Sequence, residues 1–134
     1  MSLYLEDRIL AELLIAAGDT RLFIDGNGHP CLKPHALMED RRVSSFSPMT
    51  DANHCLYAYS RTLTDPRWQG TPRIHISYEH YPGERWLVMI EEGHDNGHAY
   101  WRVAGASELH ARVECLIKVL IALGRRARQE VKHA

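Results

Sequence analysis

A chain of 134 residues, with 45% hydrophobic and 25% charged residues and a net charge of −1, has the size and composition of one folded domain, residues 1–134. These values exclude a disordered chain, because disorder goes with low hydrophobicity and a high net charge. They also exclude a strong overall attraction to nucleic acid or to an anionic membrane.

The cysteines Cys31, Cys55 and Cys115 are odd in number and form no Cys-x-x-Cys pair, a pattern typical of reduced thiols in the cytosol. Residues 1–8 are acidic where a signal peptide needs basic side chains. No apolar run approaches the ~20 residues that are needed to span a bilayer. We therefore expect a protein of the bacterial cytoplasm, without a membrane partner.

The first helix is predicted over residues 3–17, where apolar side chains recur every three or four positions. Gly18 then suits the left-handed residue that follows a helix. An apolar run at 21–25 leads into the turn sequence Asp-Gly-Asn-Gly at 25–28, and a short return strand near 31–32 would complete a hairpin.

Residues 34–50 are predicted to be irregular, and a helix over 51–63 follows, with Thr50 or Asp51 as its cap. Pro66 prevents the helix from continuing. The apolar stripe of this helix is predicted at Ala52, Leu56, Tyr59 and Leu63.

A meander of three strands is predicted within residues 73–103, at 73–81, 85–91 and 98–103. The middle strand has apolar side chains on both faces, so we expect it to be covered on both faces. The last helix is predicted over 107–124. Residues 125–134 are a basic tail, which we expect to be helical at first and then frayed.

The predicted fold class is therefore α+β. It is a three-layer α-β-α sandwich, in which helices 3–17, 51–63 and 107–124 cover both faces of a small antiparallel sheet of three to five strands.

Two short motifs lie at the joints of these elements. Residues 47–51 (Ser-Pro-Met-Thr-Asp) lead into the second helix, and residues 78–86 have the pattern aromatic-x-x-x-Pro-Gly-x-x-Trp. A Gly/His turn then precedes a final helix that bears Arg112. In these features the chain resembles small bacteriophage and prophage proteins with the phage α-β-α sandwich domain.

The resemblance implies a phage or prophage origin and a sandwich fold. It implies no reaction, because most members of the family have no known function. The chain departs from the family pattern in the order of residues 112–116, in the long loop from Pro34 to Phe46 and in the Arg-rich tail.

Aromatic and arginine side chains outside the predicted core are the candidates for binding a partner protein, since these residue types dominate interface hot spots. The candidates are Trp68, Arg41, Arg42 and Trp101. We expect a non-enzymatic protein that binds and modulates a host or defence-system protein. An anti-defence inhibitor, for example of a CRISPR complex, is one specific form of this hypothesis. Pairing of the strand at 98–103 with a second copy would give a homodimer.

Two alternatives remain open. The first is a nucleic-acid-binding accessory protein that uses the cations Arg125, Arg126, Arg128 and Lys132 of the basic tail. The second is a small metal-dependent enzyme that uses His94 and His98, although zinc needs three or four converging ligands. No cofactor, catalytic residue or resident metal is predicted, and the cysteines are expected to be buried and inert.

Overall fold

The computed structural model of the chain describes residues 4–34, 42–80, 83–94 and 97–133, with the side chains of residues 94 and 130–133 left out. Three helices and six strands occur in this part of the chain. Their bounds are α1 Leu5–Ala16, β1 Leu22–Ile24, β2 Pro30–Leu32, β3 Ser44–Ser45, α2 Ala52–Leu63, β4 Thr71–Glu79, β5 Arg85–His94, β6 Gly97–Gly105 and α3 Glu108–His133. The α+β class is confirmed.

The end of α1 and the start of β1 are joined by a tight reversal. Gly18 has a φ of +103°, which confirms the predicted left-handed residue. The N–H of Asp19 then donates to Leu14 O at 3.0 Å. The Asp19 carboxylate accepts the N–H groups of Arg21 and Leu22 at 2.8 and 3.0 Å, so it fixes where β1 begins.

The predicted hairpin is confirmed as β1 and β2, with Phe23 paired to Cys31. Its turn is closed by Asp25, whose Oδ1 accepts the N–H groups of Asn27 and His29, both at 2.9 Å. The third strand, β3, lies within the segment that was predicted to be irregular, and it pairs with β2. The sheets are therefore two of three strands each, rather than one sheet of three to five.

The helix α2 begins as predicted, because the Asp51 carboxylate accepts the N–H groups of Asn53 and His54. Its predicted apolar stripe is wrong at Ala52 and Leu56, which are exposed, Leu56 at 55%, whereas Tyr59 is partly buried against the core as predicted. The buried side chains are instead Cys55, Ala58 and Thr62. Thr62 is buried without cost to its hydroxyl, which donates to Ala58 O at 2.7 Å.

The meander β4–β5–β6 is antiparallel throughout. The strand β4 begins and ends two residues earlier than predicted, and β5 and β6 are longer than predicted. One face is buried, with Val88 paired to Val103 and Ile90 paired to Trp101. The helix that packs on this face is α3, and α1 and α2 contact α3 in turn. Within the described residues no helix packs on the other face, so the three-layer sandwich is not confirmed.

The second face of the meander needs no covering helix because of the composition of the neighbouring strands. Leu87 and Met89 point away from α3 and are only half-buried. Met89 lies between His75 and Arg102, so the stems of long polar side chains flank it on both sides. Two apolar side chains in such surroundings need no second layer of helices.

The last helix, α3, continues to His133, beyond the predicted bound at residue 124 and through the tail that was expected to be helical at first and then frayed. Its buried side chains include Val113, Leu116 and Leu120, whereas Ile121 is 38% exposed. The helix extends further because Arg126 forms an ion pair with Glu92, a fully buried residue of β5. This contact anchors the turns that follow residue 124.

The Glu92 carboxylate joins three segments of the chain. Its Oε2 accepts the N–H groups of Gln69 and Gly70 at 2.7 and 3.1 Å and a hydrogen bond from Arg126 Nη1 at 3.0 Å. Its Oε1 lies 2.7 Å from Arg126 Nη2, an ion-pair contact outside hydrogen-bond geometry. The Arg126 guanidinium also lies 5.7 Å from the ring centroid of Trp101.

Replacing Glu92 with Gln should lower the free energy of unfolding at neutral pH by about 3 kcal/mol, because it leaves Arg126 without its buried counter-charge. The matched control is Glu91→Gln, on the opposite face of the same strand. This control should unfold at nearly the wild-type urea concentration, because its ion pair is exposed. Urea unfolding followed by circular dichroism measures both, and equal losses in the two variants would contradict the assignment.

Acid should remove the stabilisation that the ion pair of Glu92 with Arg126 provides. Burial raises the pKa of Glu92, but the hydrogen bonds from Arg126, Gly70 and Gln69 outweigh it and leave the pKa below its ordinary value of 4.5. The stabilisation is therefore complete above pH 4.5 and is lost as the pH falls through the lower pKa of the folded state. We expect wild type to lose more stability than Glu92→Gln between pH 7 and acid, as measured by urea titrations at each pH.

Candidate functional site

The tryptophans predicted to bind a partner contact each other. The rings of Trp68 and Trp101 pack edge to face, with their centroids 5.7 Å apart, and both side chains are partly buried. The Trp68 indole N–H donates to Thr62 O at 2.8 Å. Arg41 lies outside the described residues. Arg42 is exposed and lines a separate cavity, so the structure places it apart from the tryptophan pair.

The basic tail divides into residues with different surroundings. Arg126 is engaged by Glu92, whereas Arg125 and Arg128 are exposed. Arg125 lines a groove beside Trp101 and Lys118. The side chain of Lys132 lies outside the described part. The predicted cluster of four cations therefore includes one that already has a buried counter-charge.

The metal hypothesis depended on His94 and His98. The side chain of His94 lies outside the described residues, and the ring of His98 lies over Gly93 on the neighbouring strand. Among the residues that the structure describes, no group of three His, Cys, Asp or Glu side chains is placed to hold a metal ion.

The cysteines have the surroundings of structural residues. Burial raises the pKa of the Cys55 and Cys115 thiols to about 11 in each case. Burial and the neighbouring Asp25 carboxylate also raise the pKa of Cys31. A nucleophilic cysteine needs a lowered pKa, so these thiols have the opposite electrostatics.

The face of the meander that points away from α3 is an exposed surface with side chains suited to binding. It is built by strand alternation, because every second residue of β4, β5 and β6 points to this side and the ladder is in register. We call it the open face. It consists of Arg73, His75, Ser77, Glu79, Arg85, Leu87, Met89, Glu91, His98, Tyr100, Arg102 and Ala104.

Apolar and aromatic groups lie at the centre of the open face. Leu87 and Met89 are half-buried along the middle strand, and Tyr100 on β6 is 65% exposed. Tyr100 is paired across the ladder with Glu91, and Arg102 is paired with Met89. A flat, mixed surface of this kind offers apolar contact area together with fixed charges.

The acidic groups of the open face have basic neighbours. Glu91 Oε1 lies 3.0 Å from His75 Nε2, and Glu79 Oε2 accepts a hydrogen bond from Arg85 at 2.9 Å. The hydrogen bond from His75, with smaller effects of His98 and Arg73, holds the pKa of Glu91 below its ordinary value. Glu91 therefore stays charged at neutral pH.

Sequence reasoning missed the open face as a site. The strand at 73–81 was predicted, but the apolar side chains on both faces of the middle strand, Leu87 and Met89 among them, led to the expectation that both faces are covered. The pairing register of the three strands is the information that identifies this face. Once β4, β5 and β6 are aligned, Arg73, Tyr100 and Arg102 all point to one side.

No family model, curated protein or solved structure matches the chain. Membrane-spanning length and apolarity are found in none of the helices within the described part of the chain.

Alkylation should distinguish the native and unfolded thiols. With a pKa of about 11, Cys55 and Cys115 are thiolates in only about one molecule in a thousand at pH 8. Iodoacetamide at this pH should therefore modify them slowly in the native protein and rapidly in urea, as read by peptide mass spectrometry. A native cysteine that reacts faster than the same cysteine in urea would contradict this description.

Proposed function

We propose that this protein is a non-enzymatic interaction protein that binds an acidic surface of a partner protein through the open face. The observation that carries the proposal is the exposure of Tyr100, at 65%, beside the half-buried Leu87 and Met89 on a face that no described helix covers. Arg73 and Arg102 are exposed on the same face.

The residue types favour protein binding. Tyrosine, arginine and methionine are enriched at interfaces, because each combines a large apolar contact area with a polar or polarisable group. Tyr100 and Arg102 lie on the edge strand, within reach of a partner that approaches from the side as well as from the front. A partner with carboxylates could pair with Arg73 and Arg102 while its apolar atoms cover Met89.

The charges of the open face favour an acidic protein over a nucleic acid. Glu79 and Glu91 lie on the same face as the arginines, where Arg85 donates to Glu79 and His75 lies 3.0 Å from Glu91. A continuous phosphate backbone would meet these carboxylates and be repelled. A protein can place its own acidic side chains at Arg73 and Arg102 alone.

The bacterial host, the defence-system target and the phage or prophage origin stay predictions from the sequence resemblance. So does the homodimer. Strand addition at β6 would have to accommodate Lys118, whose Nζ lies 3.4 Å from the carbonyl oxygen of Arg102. A lysine at a sheet edge is a feature that limits edge-to-edge pairing.

Tyr100→Ala and Arg102→Glu should each weaken partner binding by about thirtyfold or more, the effect of losing a hot spot of about 2 kcal/mol. The measurement is affinity capture from nuclease-treated bacterial lysate, followed by titration of the captured protein. Arg125→Glu is the matched control, since it makes the same charge change on α3 and should bind like wild type.

A photo-crosslinker at position 100 tests the chemistry of the partner. The crosslinked peptide should be rich in Asp and Glu and should belong to the captured protein. Crosslinks to a second copy of this chain would instead assign the open face to a homodimer. Unchanged binding of Tyr100→Ala and Arg102→Glu would refute the proposal.

A further inference from the structure

A second site lies between the hairpin β1–β2 and the first turns of α2, and it does not include the open face. It is a cavity of about 360 Å³, which falls in the size range of small-ligand pockets. We call it the α2 pocket. Three of its lining side chains are the cations Arg21, Lys33 and Arg42, and no described lining residue is a carboxylate.

The hairpin fixes the position of Arg21. Its Nε and Nη2 donate to Lys33 O at 3.1 and 2.9 Å, and its guanidinium lies 5.0 Å from the ring centroid of Tyr57. These two hydrogen bonds use two of the five N–H donors of the guanidinium. A held guanidinium loses little side-chain entropy when it binds an anion.

The helix contributes His54 to the wall of the pocket, and its Nε2 lies 3.9 Å from Asp51 Oδ2. His54 Nδ1 accepts the N–H of Ser47 at 2.9 Å, so a neutral His54 carries its proton on Nε2. The backbone N–H groups of Asn53 and His54 are already capped by Asp51. The attraction of the pocket for anions therefore comes from its side chains rather than from the helix terminus.

Asp19, a described carboxylate near the pocket, is engaged by the protein. Asp19 accepts hydrogen bonds from the Tyr57 hydroxyl at 2.7 Å and from Arg61 at 3.0 Å. Burial, with the hydrogen bond to Asp19, raises the pKa of Tyr57 to about 12, so this phenol stays neutral. Neither group adds an unpaired negative charge to the pocket.

The walls limit the type of anion. The Tyr57 ring and the apolar side chain of Leu32 line the same cavity as the cations. A flat ring can pack against such walls, while a phosphate or carboxylate on it meets the guanidiniums, which bind these groups with paired hydrogen bonds. We propose that the α2 pocket binds a small organic anion, of which a phosphate ester of a ring compound is the representative.

Calorimetric titration of the full chain tests this directly. The probes are phenyl phosphate and adenosine 5′-monophosphate, with adenosine and inorganic phosphate for comparison. At least one ring phosphate should bind more tightly than inorganic phosphate, and adenosine should bind much more weakly. Equal binding of adenosine and its monophosphate, or no binding of any probe at millimolar concentration, would overturn the proposal.

Variants locate the site. Lys33→Gln should weaken binding by about tenfold, since it removes one cation from the pocket. Arg125→Gln, a matched change on α3, should leave binding unaltered. In amide NMR spectra of the wild type, the probe should shift Ser44, Asn53 and Tyr57. A titration that depends on Arg125, or shifts that avoid these amides, would overturn the proposal.

Discussion

The buried carboxylate of Glu92 is the constraint on which much of the arrangement depends. A charge inside a protein is stable only when a counter-charge and hydrogen-bond donors surround it. Glu92 obtains both from distant parts of the chain, since Arg126 comes from α3 and the N–H groups of Gln69 and Gly70 come from the segment before β4. The meander, the entry to it and the far half of α3 are thereby held in one relative position.

Near Glu92 the backbones of Gly70 and Gly93 pass close to each other, which explains why residue 70 is a glycine. A Cβ on Gly70 would overlap the carbonyl oxygen of Gly93, so the backbones of these residues pass too near each other for any larger residue. The Trp68–Trp101 pair covers the neighbouring region and adds about 1 kcal/mol of aromatic packing. The two tryptophans therefore pack beside the Glu92–Arg126 ion pair, in addition to being candidates for binding a partner.

The packing of α3 on one face of the meander determines where the protein can bind others. Because α1 and α2 pack on α3, the opposite face keeps its Tyr100, Arg73 and Arg102 exposed. The α2 pocket arises differently, where the hairpin and the start of α2 meet and three cations line one cavity. The open face suits an extended protein surface, whereas the pocket suits a small anion.

The sequence by itself determined the local elements of this protein. Hydrophobic periodicity located the helices and the meander, Asp51 and Gly18 marked helix ends, and the Asp25 turn marked the hairpin, because each of these signals acts within a few residues. Only the tertiary structure decided which faces are buried. Leu56 is exposed, Leu87 and Met89 need no second helical layer, and Arg126 is paired with Glu92 rather than left in a frayed tail. The same is true of both candidate sites, since Tyr100 with Arg73, and Arg42 with Arg21, come together only through strand register and packing between residues far apart in the chain.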